Sequence, residues 1–480
     1  MLRKLIASLA ASLAGLAWSA GAPAADAELR NWTDSTGQYH VRAAFMELKD
    51  GRVWLKKADG STVGVPLDRL SALDQRWVAR QAAAPARDKA PASGSAAAPA
   101  EWPTFRGANR DGKSPDKGLL KEWPEGGPKL LWKVTDIGKG WSGVAVAGGT
   151  VYVTGDVDDK LMLFAFDLDG RLKWKVDNGG KCDQGGYSGA RATPTIDGPS
   201  LYLLSGNGRL GCFDARTGEP RWNKEAQEFG GSCGSWGYAE SVLISGDWAI
   251  FKPGGEKCIV ALNKQTGEPA WTSRDFSAGP EYSSCLAVTH RGTSQIITGT
   301  NQGLVAVRAG SGEVLWKNDF AAGNTANCPT PVYSDGYVFW ANGYGKGGIC
   351  MKLDNSGRAS EAYTTRDMDC HHGGYIIHDG YIYGNDGSVW KCLDLKTGEK
   401  KWSERAVGKG SVCWADGMLY LFGEGHGEAA LATCSPEGLE IKGKVKVDGE
   451  GPSWAHPVVI GGRLYLRYDK NLYCFDVKAS

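Results

Sequence analysis

Beyond residue 100 the chain repeats one pattern: a short apolar run, a polar turn holding a glycine, and a tryptophan that opens the next run. Runs such as Leu201-Tyr202-Leu203-Leu204 and Leu304-Val305-Ala306-Val307 are too short for helices and apolar on both faces, so they read as buried strands. The turns share one frame at 214–222 (D-A-R-T-G-E-P-R-W), 263–271 (N-K-Q-T-G-E-P-A-W), 308–316 (R-A-G-S-G-E-V-L-W) and 394–402 (D-L-K-T-G-E-K-K-W). A shorter copy ends at Trp174. In such a turn an Asp or Asn side chain accepts from turn amides, and Gly takes the positive-φ position. The tryptophan starts an outer strand, where its area fills the wedge between neighbouring sheets. Trp174, Trp222, Trp271, Trp316 and Trp402 are therefore expected to be structural.

The period sets the architecture. Trp132, Trp174, Trp222, Trp271 and Trp316 recur at roughly 40–50 residues, the length of a propeller blade. A double interval then leads to Trp402, with the missing marker near Leu353-Asp354-Asn355-Ser356-Gly357. A degenerate turn follows at Ser435-Pro436-Glu437-Gly438, and the last strand, near Leu472-Tyr473-Cys474-Phe475, has no outer partner after it. The segment Leu130-Leu131-Trp132-Lys133-Val134 has no inner strands before it and complements that end. The expected fold is all-β, an eight-bladed β-propeller at 101–480 whose ring is closed by this early strand, so that no sheet edge is left exposed.

Ahead of the repeats the character differs. Residues 1–25 carry a basic start, the apolar stretch from Leu5 to Trp18 and small residues around Ala22-Pro23-Ala24, as in a secretory signal peptide. That stretch is shorter than the roughly 20 residues needed to span a bilayer. No transmembrane segment is expected after it, and the protein is expected to be exported, to a periplasmic or extracellular location. Residues 28–80 alternate as short strands around the turns Asp50-Gly51 and Asp59-Gly60, which predicts a small antiparallel β-domain. Residues 81–100 are rich in Ala and Pro and predict a mobile linker. With 55 Lys+Arg against 54 Asp+Glu and a net charge of +1, nothing marks a nucleic-acid partner. The 68 glycines and 19 tryptophans suit many short strands joined by tight turns.

The words W-T-D-S-T-G, L-K-D-G and V-P-L-D-R-L-S in the small domain resemble the SLA1 homology domain 1 (SHD1) family. That resemblance implies an SH3-like barrel and binding of a protein or peptide. The turn motifs, with the opening W-P-T-F-R-G-A-N-R-D-G at 102–112, resemble the pyrroloquinoline-quinone (PQQ)-like propeller repeat family, of BamB-like and quinoprotein type. In its quinoprotein dehydrogenases that family implies PQQ on the ring axis with Ca²⁺, a carboxylate base and often a vicinal Cys-Cys pair. None of the 12 cysteines here is adjacent to another, and no D-x-D-x-D-G stretch occurs. PQQ with Ca is not expected, and no H-E-x-x-H metal motif is found.

Chemistry-bearing residues cluster at one phase of the repeat, just before each innermost strand. Closure of the ring gathers these segments at one funnel. The candidate ligand-binding residues are Tyr187, Arg191, Trp236, Tyr238, Glu240, His371, His372, Trp454 and His456. They suit a polar or aromatic small ligand or an inserted peptide side chain. They could equally pair with one another and plug the channel. His371-His372 invites a metal, yet neighbours on a strand point to opposite faces, so no metal site is expected. Six cysteines sit in the segments leading to inner strands (Cys182, Cys233, Cys285, Cys328, Cys370, Cys413) and six in or beside third strands (Cys212, Cys258, Cys350, Cys392, Cys434, Cys474). An exported, even set permits disulfides, while third-strand thiols also read as small buried apolar groups. The expected role is an exported binding or scaffold protein with a tethered protein-binding domain. A quinoprotein oxidoreductase, or another enzyme with its site in the funnel, is the alternative.

Overall fold

The computed structural model describes residues 30–34, 40–57, 59–71, 74, 75, 78 and 101–479. The expected signal segment at 1–25 lies outside these residues, as does the expected linker at 81–100. The chain divides into two compact units, 1–95 and 96–480. Among the described residues no helix is long and apolar enough to cross a membrane.

The first unit is an antiparallel meander of strands Arg30–Thr33, His40–Lys49, Arg52–Lys57 and Thr62–Pro66. Asp50 and Gly51 both hold positive φ and make the tight turn the D-G pair predicts. Trp32, Ala43, Val53, Leu55, Leu70 and Val78 form its core.

The second unit contains eight sheets, consistent with a propeller. Each begins with a short inner strand (Ala145–Ala147, Thr195–Asp197, Leu243–Ser245, Leu286–His290, Val332–Ser334, Tyr375–His378, Gly410–Ala415, Val458–Ile460). We number the blades in that order. Second and third strands are buried, whereas outer strands alternate, as in Lys-Lys-Trp-Ser-Glu of Lys400–Glu404. Separate apolar cores join blade 1 to 2, 2 to 3, and so on to 6 and 7. One further core contains residues of blades 7, 8 and 1 together, which closes the circle. The early strand Lys129–Val134 completes blade 8 beside Asn471–Asp476, with Trp132 opposite Cys474.

The repeat motif locks neighbouring blades. Asp214 Oδ1 accepts from the amides of Arg216 at 2.9 Å and Thr217 at 3.0 Å, which shapes the turn for Gly218 at φ +78°. The indole of Trp174, one blade earlier, lies against that glycine: an added Cβ would fall 2.6 Å from its ring. Trp132 meets Gly170, Trp222 meets Gly267 and Trp271 meets Gly312 in the same way. Tyr363 replaces the missing tryptophan of blade 5 and packs on Gly398. Trp316 acts through a relay, donating to Gln295, whose amide donates to the Gly357 carbonyl. The third-strand residue opposite each ring is small: Ala165, Cys212, Ala261, Ala306, Cys350, Cys392 and Cys474. Four of the third-strand cysteines thus fill the space of an alanine, and all twelve thiols are unpaired.

Candidate functional site

The middle of the ring is crossed by residues 102–114, a segment with no strand of its own until Lys113–Ser114 adds in parallel beside Trp414 and Ala415. Trp102 bonds Val146 of blade 1, and the Pro103 carbonyl accepts from Ile196 of blade 2. Arg110 is 2% exposed and donates to the carbonyls of Ser241 and Cys285, both at 2.9 Å, and to that of Val242. Arg106, 3% exposed, donates to the Tyr375 carbonyl at 2.5 Å on blade 6. Two buried guanidiniums therefore satisfy main-chain carbonyls at the starts of inner strands on blades 3, 4 and 6. Burial pulls both below the ordinary arginine value, Arg110 to about 10. Beyond the segment lies a cavity of about 370 Å³ against Leu243, Leu286, Val332 and Tyr333.

On the side of the inner-strand entrances the segment forms the floor of a second cavity, of about 230 Å³, through Phe105. Tyr187, Arg191, Trp236, His371, His372, Trp454 and His456 line it, together with Trp141, Tyr282, Cys328 and Tyr344. The channel is thus crossed midway yet open above the crossing. The aromatic rings form a nearly continuous wall. Trp141 and Trp454 lie 4.5 Å apart by ring centroids, Tyr187 and Trp454 5.6 Å, and Trp236 and Tyr282 5.9 Å. His372 stacks on Trp454 at 4.3 Å. Arg191 lies over Trp141 at 5.3 Å and donates to the carbonyls of Gly189 at 3.0 Å and Tyr187 at 2.5 Å.

Two predicted residues are elsewhere. Tyr238 is 1% exposed and turns into the blade 2–3 core, where its hydroxyl donates to Pro253. Glu240 is 2% exposed and accepts from the Lys252 amide, while Lys252 Nζ donates to Gly299 at 2.9 Å. Both belong to the framework because the turn at Trp236 and the positive φ of Gly237 reset the chain direction. Ala239 then faces the cavity, and Tyr238 and Glu240 on either side of it face away. Trp141, Tyr282, Tyr344, Cys328 and Phe105 also line the site, beyond the nine named candidates. Trp141, Tyr282 and Cys328 share the repeat phase of the named residues, so the sequence does carry a signal for them. Tyr344 comes from a second-to-third-strand hairpin and Phe105 from the crossing segment, which lie outside the phase.

The histidines are neutral bases here. Burial, with Lys409 nearby, lowers His371 to about 4. Burial lowers His372 well below its usual value, and burial with Arg106 lowers His456 to about 3. His371 Nδ1 lies 2.6 Å from Lys409 Nζ and its Nε2 2.7 Å from the Tyr344 hydroxyl. Lys409 pairs with Glu424 at 3.0 Å, and Trp454 Nε1 donates to the same carboxylate at 2.7 Å. Burial pushes the Cys328 thiol up, so it stays protonated.

The family model described as outer membrane protein assembly factor BamB matches residues 162–404, and that of SLA1 homology domain 1 matches residues 21–84. An outer membrane protein assembly factor BamB from Burkholderia pseudomallei is 23% identical over 332 residues, covering 59% of this chain and 83% of that protein. The crystal structure of BamB from Moraxella catarrhalis aligns with a TM-score of 0.53 at 15% identity, over 73% of this chain and 98% of that one. Quinohemoprotein alcohol dehydrogenase from Comamonas testosteroni aligns with a TM-score of 0.58 at 14% identity, over 79% and 81%.

Proposed function

Because the chain belongs to the PQQ-like propeller family of the assembly factor BamB, with an SHD1 domain ahead of the ring, we propose that it is an exported, periplasmic or extracellular, binding scaffold. Its propeller takes an aromatic side chain of a protein partner, or a small aromatic ligand, into the cavity above the crossing segment. The observation that carries this reading is the wall of Trp141, Tyr187, Trp236, Tyr282 and Trp454 around one open volume. Such faces stack on a ring, and the neutral imidazoles supply hydrogen bonds without a charge to desolvate. Names of relatives suggest a role in protein assembly. The four-stranded first unit, in this reading an SH3-like barrel, adds a second peptide-binding surface.

The name of the repeat does not carry its cofactor here. Among the described residues that line the cavity there is no Asp or Glu to supply the hard oxygen ligands that Ca²⁺ requires or an acidic base. The donor set does not fit a calcium–quinone centre, which favours binding over the quinoprotein alternative. The test is a titration of the purified protein with N-acetyl tryptophan and tyrosine amides, followed by indole emission. Saturable binding, weakened in Trp454→Ala and Trp236→Ala, supports the reading. Unchanged emission with every probe, or equal binding by both variants, contradicts it. Dye reduction with alcohols after addition of PQQ and Ca²⁺ tests the alternative.

A further inference from the structure

Strand alternation would send His371 and His372 to opposite faces, yet the pair is not in a strand. The inner strand of blade 6 starts at Tyr375, and the two histidines lie in the bend before it. Freed from alternation, their rings turn the same way, with centroids 3.7 Å apart. Cys328 comes to the same place from the segment leading into blade 5. Its Sγ and one nitrogen from each imidazole all lie within 4.8 Å of one another. All three residues face the cavity.

We propose that Cys328, His371 and His372 form a three-ligand site for a soft transition-metal cation, zinc(II) or copper(I). A thiolate with two imidazoles selects these ions, whereas calcium and magnesium take oxygen ligands. Three protein ligands leave a further coordination position on the cavity side, as in open metal sites. A second observation points the same way. His372 Nδ1 is sealed from solvent and has no hydrogen-bond partner, an unpaired buried acceptor that a bound cation would satisfy. His371 has both nitrogens engaged, but the Tyr344 ring on one of them is 49% exposed and swings aside at little cost. The charge of Lys409 is offset by Glu424 at 3.0 Å. On binding, the Cys328 S–H bond breaks, the sulfur pair goes to the metal and the proton leaves to solvent. His371, whose Nδ1 accepts from Lys409 and whose proton sits on Nε2, shifts that proton to Nδ1 through solvent and gives the Nε2 pair to the metal. Lys409 turns from the ring to Glu424. The site does not depend on the peptide reading, since metal-free protein keeps its aromatic walls.

The experiment uses the full chain, reduced and stripped with a chelator, titrated with zinc(II) and separately with copper(I) against a chromophoric chelator. One equivalent of at least one ion binds. Cys328→Ser and His372→Gln each weaken that binding roughly 10-fold or more, a loss that follows even from removing a group that only orients a ligand, while Cys233→Ser leaves it unchanged. X-ray absorption of the loaded wild-type chain shows one sulfur at about 2.3 Å and two nitrogens at about 2.0 Å for zinc, and this reading needs no variant to fold. Failure to bind either ion, binding equally tight in both variants, or a metal shell without sulfur overturns the site. The amide titration on stripped protein reports separately on the aromatic cavity.

Discussion

Trp222 and Gly267 face one another across the seam between blades 2 and 3, so closely that an added Cβ would lie 2.8 Å from the indole. Gly267 also holds φ +75°. Gly267→Ala therefore meets both a backbone and a steric penalty, and should destabilise the propeller by about 1–3 kcal/mol. Trp271→Ala, which empties a site 8% exposed, should cost about 3–5 kcal/mol. Urea unfolding checks both. Neither change should alter binding of the amide probes, because neither residue lines the cavity.

Ring closure rests on Lys129–Val134. Deleting 129–134 leaves Asn471–Asp476 as an unpaired edge and uncovers apolar surface of blade 8. The deletion variant should melt earlier and self-associate in sedimentation velocity. A monomer with wild-type melting would contradict closure by this strand.

Arg110 holds the crossing segment in place. Arg110→Met would orphan the carbonyls of Ser241 and Cys285, while that of Val242 keeps the Thr195 hydroxyl at 2.7 Å. A loss of at least about 2 kcal/mol is expected, since each buried unpaired group costs about 1–3 kcal/mol. Arg110→Lys should recover only part, because an ammonium lacks the planar fork that spans three acceptors. Hydrogen exchange at 104–112 should rise in both variants.

Much of this architecture is legible in the order of the residues. The spacing of Trp132, Trp174, Trp222, Trp271, Trp316 and Trp402 carries blade length and closure, because an indole at a seam packs on the glycine turn one blade on, as Trp174 does on Gly218. Tyr187, Arg191, Trp236, His371, His372, Trp454 and His456 share a repeat phase, and the ring brings that phase to one cavity. The crossing segment is not legible in the same way. It has no periodicity, and its partners are main-chain carbonyls of distant blades, which leave no mark on residue type. Glu240 misleads because a charged residue at the right phase reads as a site. Only its burial with Lys252 shows it to be framework.

Asp156 gives a pH test. It lies near Arg191, with Oδ2 sealed and unpartnered, and burial raises it to about 6 against the pull of Arg191. The folded state therefore holds this proton more tightly than the unfolded chain does. The stability it lends is present below the unfolded carboxylate value and is lost as pH rises through about 6. Asp156→Asn should be more stable than wild type at pH 7.5, by about 1–3 kcal/mol, and the gap should narrow at pH 4.5. Urea unfolding at both values measures it. A gap that widens on acidification would contradict the assignment.

The cavity as binding site is tested most directly by ¹⁹F NMR of protein carrying 5-fluorotryptophan, with resonances assigned by single Trp→Phe changes. The structure separates two sets: Trp141, Trp236 and Trp454 around the cavity, and Trp174, Trp222, Trp271, Trp316 and Trp402 at the seams between blades. Titration with N-acetyl tyrosine amide should shift the first set saturably and leave the second in place. Shifts confined to the seam tryptophans, with Trp141, Trp236 and Trp454 unmoved, would contradict it.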